Sequence, residues 1–146
     1  MWPDASNFVW GESVPAPEAW GKPGLVMFFN LECPACISRG VPFLKRLARD
    51  HGDKLVIVMV HTSFGHKRYA RDETVPTLLH FAESFAAIPF PIALDLDGEL
   101  AERWGVEGTP HWFAFDRAGE VMRSIYGSQE NAQVRLEYLL DEVTVG

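Results

Sequence analysis

Two short, continuous apolar segments constrain the fold of this chain more than any other feature. They are "GLVMFFNL" at residues 24–31 and "KLVIVMVHT" at residues 54–62. Their Val and Ile content favours strand over helix, and neither alternates with polar residues as a half-exposed strand would. Such segments predict strands that are buried on both faces of a sheet, as in an α/β protein whose helices cover the sheet.

Helical and strand patterns alternate along the rest of the chain. After Pro34, apolar residues recur at spacings of three and four until His51-Gly52-Asp53 ends the helix. A polar connection, "SFGHKRYARDE", precedes a second predicted helix, which runs from Glu73 or Val75 to Ala87. The other predicted elements are a strand at 90–95, a short helix that ends at Gly105, strands at 110–116 and 120–127 joined by Arg117-Ala118-Gly119, and an amphipathic helix that begins at Ser128.

The order of elements from Gly24 is therefore β-α-β-α-β-α-β-β-α. This order predicts an α/β fold in three layers, with a mixed central sheet and helices on both faces. The 146 residues predict a single domain spanning 1–146. Residues 1–23 are rich in proline, and we expect them to form an arm packed on the domain by Phe8, Trp10 and Trp20.

Charge and hydropathy limit the partners that we expect. The net charge of −7 provides no basic surface for nucleic acid or for an anionic membrane. No apolar run approaches the roughly 20 residues that a spanning helix needs. The first residues, "MWPDASNFVW", do not have the pattern of a signal peptide. We expect a cytoplasmic monomer for the chain as given, or an exported or membrane-tethered protein if the chain belongs to a longer one.

The only two cysteines, Cys33 and Cys36, lie where the first strand passes into the first helix. Cys33 is predicted at the N-cap and Pro34 at the first helical position. One helical turn places the two Cα atoms about 5–6 Å apart, which suits a disulfide. A bond that closes so short a loop adds little stability, which favours a redox pair over a structural crosslink. Half of a metal site remains an alternative, with His61 and His66 as further candidate ligands.

The position of each cysteine predicts its role. The helix N-terminus stabilises a thiolate on Cys33, whereas Cys36 lies deeper in the helix. Cys33 is therefore the predicted nucleophile, and Cys36 the predicted thiol that resolves the mixed disulfide. The cysteines carry the electrons themselves, so no cofactor is expected. A redox partner protein and a protein disulfide or dithiol substrate are expected instead.

A second motif, Gly108-Thr109-Pro110, directly precedes the strand "HWFAF". Together with Cys33-Pro34-Ala35-Cys36 after the strand "VMFFN", it resembles the thioredoxin superfamily. The resemblance implies that Pro110 is cis and abuts the cysteine pair, and that Thr109 offers backbone hydrogen bonds to an extended substrate. The additional helix between the second and third core strands is similar to TlpA-like thiol–disulfide oxidoreductases, and the Val-His-Thr after the second strand is similar to the thioredoxin-like domains of DipZ and NHL-repeat proteins.

Several residues near the motif depart from the pattern of these families, and we expect them to modulate the cysteine pair. Glu32 replaces the usual Trp before the first cysteine, and its negative charge would oppose a thiolate on Cys33. Arg39 occupies a position where some exported reducing members carry Glu. His111, after the proline, is either a proton donor near the site or a strand residue that faces solvent. Pro34 and Ala35, between the cysteines, complete the modulating set.

Two other functions remain open at this point. A peroxiredoxin would require Thr or Ser three residues before the reactive cysteine, where this chain has Asn30. A copper chaperone of the Sco type would use the two cysteines and a distant histidine such as His61 or His111. The cysteine spacing in that family is normally one residue longer than it is here.

Overall fold

The computed structural model describes residues 1–128 and 130–144. Within these residues, six strands form one sheet, and four α-helices pack against its two faces. The strands are β1 Phe8–Trp10, β2 Gly24–Phe29, β3 Val56–Thr62, β4 Ile92–Asp95, β5 His111–Phe115 and β6 Val121–Tyr126. The helices are α1 Val41–His51, α2 Arg71–His80, α3 Glu99–Trp104 and α4 Glu130–Thr144.

The sheet is mixed, with the strand order β1-β4-β3-β2-β5-β6. Strands β2, β3 and β4 are parallel, with Gly24 opposite Val56 and Phe29 opposite His61. The other three strands pair antiparallel to their neighbours. The carboxyl ends of the parallel strands therefore meet at one edge of the sheet, which is where ligand and reaction sites form in open α/β sheets.

The two central strands bury both of their faces, which explains their continuous apolar sequences. In β2, Leu25, Met27 and Phe29 contact the core beneath α1, α2 and α4, whereas Val26 and Phe28 point to the opposite face. That second face is covered by α3 and by aromatic residues of the N-terminal segment, among them Trp2 and Phe8. The predicted three-layer arrangement, with a mixed central sheet and helices on both faces, is confirmed.

The predicted helices are present, with shifted ends. The second helix begins at Arg71, inside the segment predicted as a polar connection, because Glu73 accepts a hydrogen bond from the backbone N–H of Ala70 and so caps the first turn. A π-helical turn, Phe81–Phe85, completes it, and Ala87 has a positive φ of 49°. The last helix begins at Glu130; Gln129, which follows the predicted start at Ser128, lies outside the described residues, as do 145 and 146.

Residues 1–23 contribute a strand as well as the packing residues that the sequence predicts. Strand β1 pairs with β4, with Phe8 opposite Ala93. The indole N–H of Trp10 donates to the carbonyl of Ile88 at 3.0 Å, and that of Trp20 donates to Pro15 at 2.8 Å. Three residues between proline-rich flanks are too few for a periodic signal, which is why the sequence pattern did not reveal this strand. Among the described residues, no helix combines the length and the apolar character that crossing a membrane requires.

Candidate active site

The cysteine pair lies where β2 passes into the first helix, at the carboxyl edge of the parallel strands. Helical backbone begins at Pro34, continues through a π-helical turn at Cys36–Gly40 and passes into α1. Gly40 permits this packing, since an added Cβ would lie 2.8 Å from the sulfur of Met27 beneath the helix. The helix therefore lies close against the sheet directly behind the cysteines.

Cys33 and Cys36 are joined as a disulfide, with Cα atoms 5.3 Å apart. The backbone N–H of Cys36 donates to the Sγ of Cys33 at 3.3 Å, so this sulfur occupies the place of an N-cap acceptor. The carbonyl of Cys33 accepts the N–H of Ile37 at 3.3 Å, as an N-cap carbonyl does. Cys33 is 6% exposed, whereas Cys36 is fully buried. Of the two cysteines, only Cys33 therefore retains some exposure to solvent.

The Thr109–Pro110 peptide bond is cis, as the resemblance implies. The carbonyl oxygen of Thr109 lies 3.5 Å from the Sγ of Cys33, so the predicted motif lies directly against the cysteine pair. Pro110 is buried, and its carbonyl accepts the N–H of Gly127 at 2.9 Å. Two segments 76 residues apart in the chain thus meet at one sulfur.

Most of the predicted modulating residues lie around the first helical turn. Glu32 is exposed, and one of its carboxylate oxygens accepts a hydrogen bond from the hydroxyl of Tyr69 at 3.2 Å. This hydrogen bond to Glu32 is the main cause that raises the pKa of the Tyr69 hydroxyl; desolvation, and then the negative charges of Glu32 and Glu73, act in the same direction. Pro34 and Arg39 are exposed and Ala35 is half-buried. The carbonyl of Arg39 accepts a hydrogen bond from the side chain of Gln133 at 3.2 Å, which ties this turn to α4.

The prediction that His111 faces solvent is wrong, because its side chain is 1% exposed. It stacks on Phe113, on the sheet face opposite the helix that carries the cysteines. Nδ1 accepts the N–H of Glu107 at 3.2 Å, and Nε2 lies 2.8 Å from the hydroxyl of Ser124. Burial lowers its pKa, which Glu107 partly opposes. Both ring nitrogens therefore have partners away from Cys33, and the geometry gives the alternative of a proton donor no support.

A chain of buried hydrogen bonds that the sequence patterns did not reveal holds the loop before Cys33. The side-chain amide of Asn30 donates to the carbonyl of Thr62 at 2.8 Å, and its oxygen accepts the N–H of Glu32 at 2.9 Å. The hydroxyl of Thr62 donates to Asp95 at 2.8 Å. Asp95 also accepts the N–H groups of Leu100 and Ala101 at 3.0 and 2.9 Å, at the start of α3.

These three polar side chains have one feature in common that could have predicted their cluster. Asn30, Thr62 and Asp95 each end, or directly follow, one of the parallel buried strands. Because the carboxyl ends of parallel strands meet at one edge, polar residues at all three ends are brought together. The chain of contacts reaches from α3 to the residue before Cys33 and fixes the loop in place.

His61 lies beneath this loop, on the sheet face that carries the cysteines. Its Nε2 accepts the backbone N–H of Leu31 at 3.3 Å, and its ring meets the edge of Phe29. Burial, and secondarily the charge of His66, lowers its pKa to about 4. His61 is therefore neutral near pH 7, with its proton on Nδ1. It is also one of the residues that line a cavity of about 290 Å³ between the loop at residues 30–32 and α2.

The sheet topology and the cysteine pair at the start of the first helix define the class as a thioredoxin-fold dithiol protein. Residues 4–126 match the model of the AhpC/TSA family, and the chain belongs to that family. ResA, a thiol–disulfide oxidoreductase of Bacillus thuringiensis subsp. konkukian, is 27% identical over 140 residues, covering 93% of this chain and 75% of that protein. The same values hold for ResA of Bacillus cereus.

Solved structures agree on the fold. A thiol–disulfide isomerase from Corynebacterium glutamicum superimposes with a TM-score of 0.82 at 24% identity, covering 100% of this chain and 96% of that one. StoA from Bacillus subtilis superimposes with a TM-score of 0.58 at 22% identity, covering 80% and 81% of the two chains. These similarities confirm the thioredoxin-like fold. The match to the ResA relatives confirms the predicted class, a TlpA-like thiol–disulfide oxidoreductase.

Proposed function

We propose that this protein exchanges electrons between its Cys33–Cys36 pair and disulfides or dithiols of protein substrates. The observation that carries the proposal is the hydrogen bond from the N–H of Cys36 to the sulfur of Cys33. The same N–H would stabilise a thiolate there, together with the partial positive charge of the helix N-terminus. Cys33 is the nucleophile, and the buried Cys36 is the resolving thiol.

Reduction of a substrate proceeds in two exchanges. The Cys33 thiolate attacks one sulfur of the substrate disulfide, forms a mixed disulfide and releases the other substrate sulfur as a thiolate that takes up a proton. Cys36, as its thiolate, then attacks the sulfur of Cys33 and releases the second substrate thiol. Two electrons have passed to the substrate, and the Cys33–Cys36 disulfide remains. A dithiol of a redox partner protein reverses these steps, and substrate oxidation follows the same path in the opposite direction.

Thr109 and Pro110 form the substrate-binding side of the site. The ladder between β2 and β5 ends at the pair Phe28 and His111, so Thr109 lies beyond it. In the described part of the chain, no backbone hydrogen bond joins Thr109 to another backbone group. Its N–H and C=O can therefore pair with an extended substrate segment that brings its sulfur to Cys33.

Reduction of insulin, with dithiothreitol as the electron donor, tests the proposal. The wild-type protein should accelerate the reaction, and Cys33→Ser should abolish the acceleration. A matched substitution of an exposed serine on the same helical turn, Ser38→Ala, should leave the rate unchanged. Equal rates for wild type and Cys33→Ser would contradict the proposal.

The two alternative functions receive less support from the geometry. Asn30 occupies the position where a peroxiredoxin needs a hydroxyl, and its amide is bonded to Thr62 and Glu32. For a copper chaperone, His111 would have to give up its partners on the far face of the sheet. Within residues 1–128 and 130–144, no three side chains of His, Cys, Asp or Glu are grouped as metal ligands would be.

A further inference from the structure

The loop at residues 63–70, between β3 and α2, contacts the site on both sides of Cys33. On one side, the hydroxyl of Tyr69 donates to Glu32, the residue before the nucleophile. On the other side, Nε2 of His66 lies 2.7 Å from the hydroxyl oxygen of Thr109. A substrate segment that pairs with Thr109 must therefore lie beside this loop.

The loop is itself held in a defined position. The N–H of Phe64 donates to the hydroxyl of Thr62 at 3.1 Å, and the N–H of His66 donates to the carbonyl of Ser63 at 2.9 Å. Farther along, the guanidinium of Arg68 donates to the carbonyl of Asp97 at 2.7 Å. His66 therefore approaches Thr109 from a loop that is anchored to the same buried hydrogen bonds that hold the loop before Cys33.

Thr109 lies next to the sulfur of Cys33, so its position matters for thiol–disulfide exchange. It is half-buried and lies outside the β-ladder, and its carbonyl is 3.5 Å from the sulfur of Cys33. Its side chain has one rotatable bond to a hydroxyl that can donate or accept a hydrogen bond. Among the described residues, His66 is the hydrogen-bond partner of this hydroxyl.

We propose that His66 is a positioning residue for substrate binding, which acts by holding Thr109 in the conformation that pairs with the substrate backbone. This inference rests on the proposed function and extends the substrate-binding surface to the loop at residues 63–70. Because the threonine hydroxyl can either donate or accept, the contact forms with either neutral tautomer of the imidazole and also with the protonated ring. The effect of His66 therefore depends on the contact rather than on the charge of the ring.

Steady-state reduction of insulin, with dithiothreitol as reductant, tests the inference through His66→Ala, Thr109→Val and the double variant. Loss of one hydrogen bond should raise KM about two- to tenfold in each single variant. The KM of the double variant should not exceed the higher of the two single-variant KM values, because both substitutions remove the same contact. The increase is expected in KM rather than in kcat, because His66 does not touch the reacting sulfur.

Three controls separate this positioning role from other effects. His66→Gln keeps a hydrogen-bonding side chain and should recover part of the increase in KM. His80→Ala, which removes an exposed histidine on α2, should leave KM unchanged. The reduction potential of Cys33–Cys36, measured against glutathione, should be the same in wild type and in His66→Ala.

The results can contradict the inference in two distinguishable ways. An active wild type, together with an unchanged KM for His66→Ala or with KM increases that multiply in the double variant, overturns the inference and leaves the proposed function intact. A wild type that does not accelerate insulin reduction and traps no substrate as Cys36→Ser overturns both.

Discussion

The backbone N–H of Cys36 donates to the sulfur of Cys33, at 3.3 Å. The main chain of Cys36 thus stabilises the sulfur of Cys33, whereas the sulfur of Cys36 is itself fully buried. The relationship is asymmetric, because no corresponding N–H group donates to Cys36 among the described residues. The two thiols are therefore expected to differ in reactivity although they are only three residues apart.

This asymmetry predicts different trapping by the two single-cysteine variants. Cys36→Ser retains the nucleophile and cannot resolve, so it should accumulate mixed disulfides with substrate proteins, visible as reducible bands on a non-reducing gel. Cys33→Ser should accumulate none. Equal trapping by both variants would show that the helix position does not assign the roles.

A second prediction concerns Glu32, whose carboxylate lies one residue before Cys33. Removing its charge with Glu32→Gln should stabilise the Cys33 thiolate, because a like charge is no longer close to it. A more stable thiolate favours the reduced form and makes the pair more oxidising. The reduction potential should rise by up to about 30 mV, which corresponds to a tenfold change in the exchange equilibrium.

Tyr69→Phe is the matched variant for the Glu32 prediction, since it removes the hydroxyl that orients the carboxylate and keeps the charge. The measurement is a glutathione titration of each variant, together with the ultraviolet absorbance of the thiolate as a function of pH. An unchanged potential in Glu32→Gln would mean that the carboxylate does not influence the sulfur, and a potential that falls would contradict the expected sign of its effect.

His61 predicts a loss of stability on mild acidification. Its pKa in the folded protein is lowered to about 4 from an unfolded value of 6.5. The unfolded chain therefore binds the proton more readily, and stability is lost as the pH falls from about 6.5 towards 4. Between about pH 7 and about pH 5, this residue alone should remove roughly 2 kcal/mol from the free energy of unfolding.

Urea unfolding of wild type and His61→Gln at both pH values measures this contribution. Glutamine offers the N–H of Leu31 an acceptor but does not titrate. The free energy of unfolding of His61→Gln should therefore fall less than that of wild type over the same pH interval. His111 acts in the same direction, since burial also lowers its pKa, and it is present in both proteins. Parallel losses in the two proteins would rule out His61 as the source.

A further prediction concerns Asp95, which lies outside the cysteine motif: its substitution should lower the stability of the fold strongly. Asp95→Ala would leave Leu100 N–H, Ala101 N–H and the hydroxyl of Thr62 without their acceptor in a buried position. The free energy of unfolding should fall by about 2–3 kcal/mol. The matched control is Asp97→Ala, because that carboxylate is exposed and accepts a single N–H, from Glu99. A similar small loss for both variants, measured by urea unfolding, would contradict the expected importance of this network.

The parts of the fold that could be predicted are those in which many residues repeat one pattern. In β2 and β3 both faces are buried, so every residue carries the same signal, and the strands fall within the predicted segments. Strand β1 has three half-buried residues and depends on pairing with β4, which lies more than eighty residues away. No local pattern encodes such a partner.

The residues of the candidate site likewise fall into those that local sequence patterns predict and those that they do not. Local patterns in the sequence are enough to predict the positions of Cys33, Cys36 and Pro110, because the end of a strand, the start of a helix and a proline are each recognisable within a few residues. The contact between His66 and Thr109 joins two loops that approach only after the sheet has formed. The burial of His111 depends on which face of β5 it occupies, and a single residue at the start of a strand does not reveal that face.

Strand β1 has a consequence for solubility. It covers the outer edge of β4, whose residues are buried and apolar apart from Asp95. An uncovered edge presents unpaired N–H and C=O groups to any other extended chain, and an apolar edge of this kind promotes aggregation. Proteolytic removal of the first ten residues would therefore leave the cysteine motif intact in sequence while turning one side of the sheet into a surface for self-association.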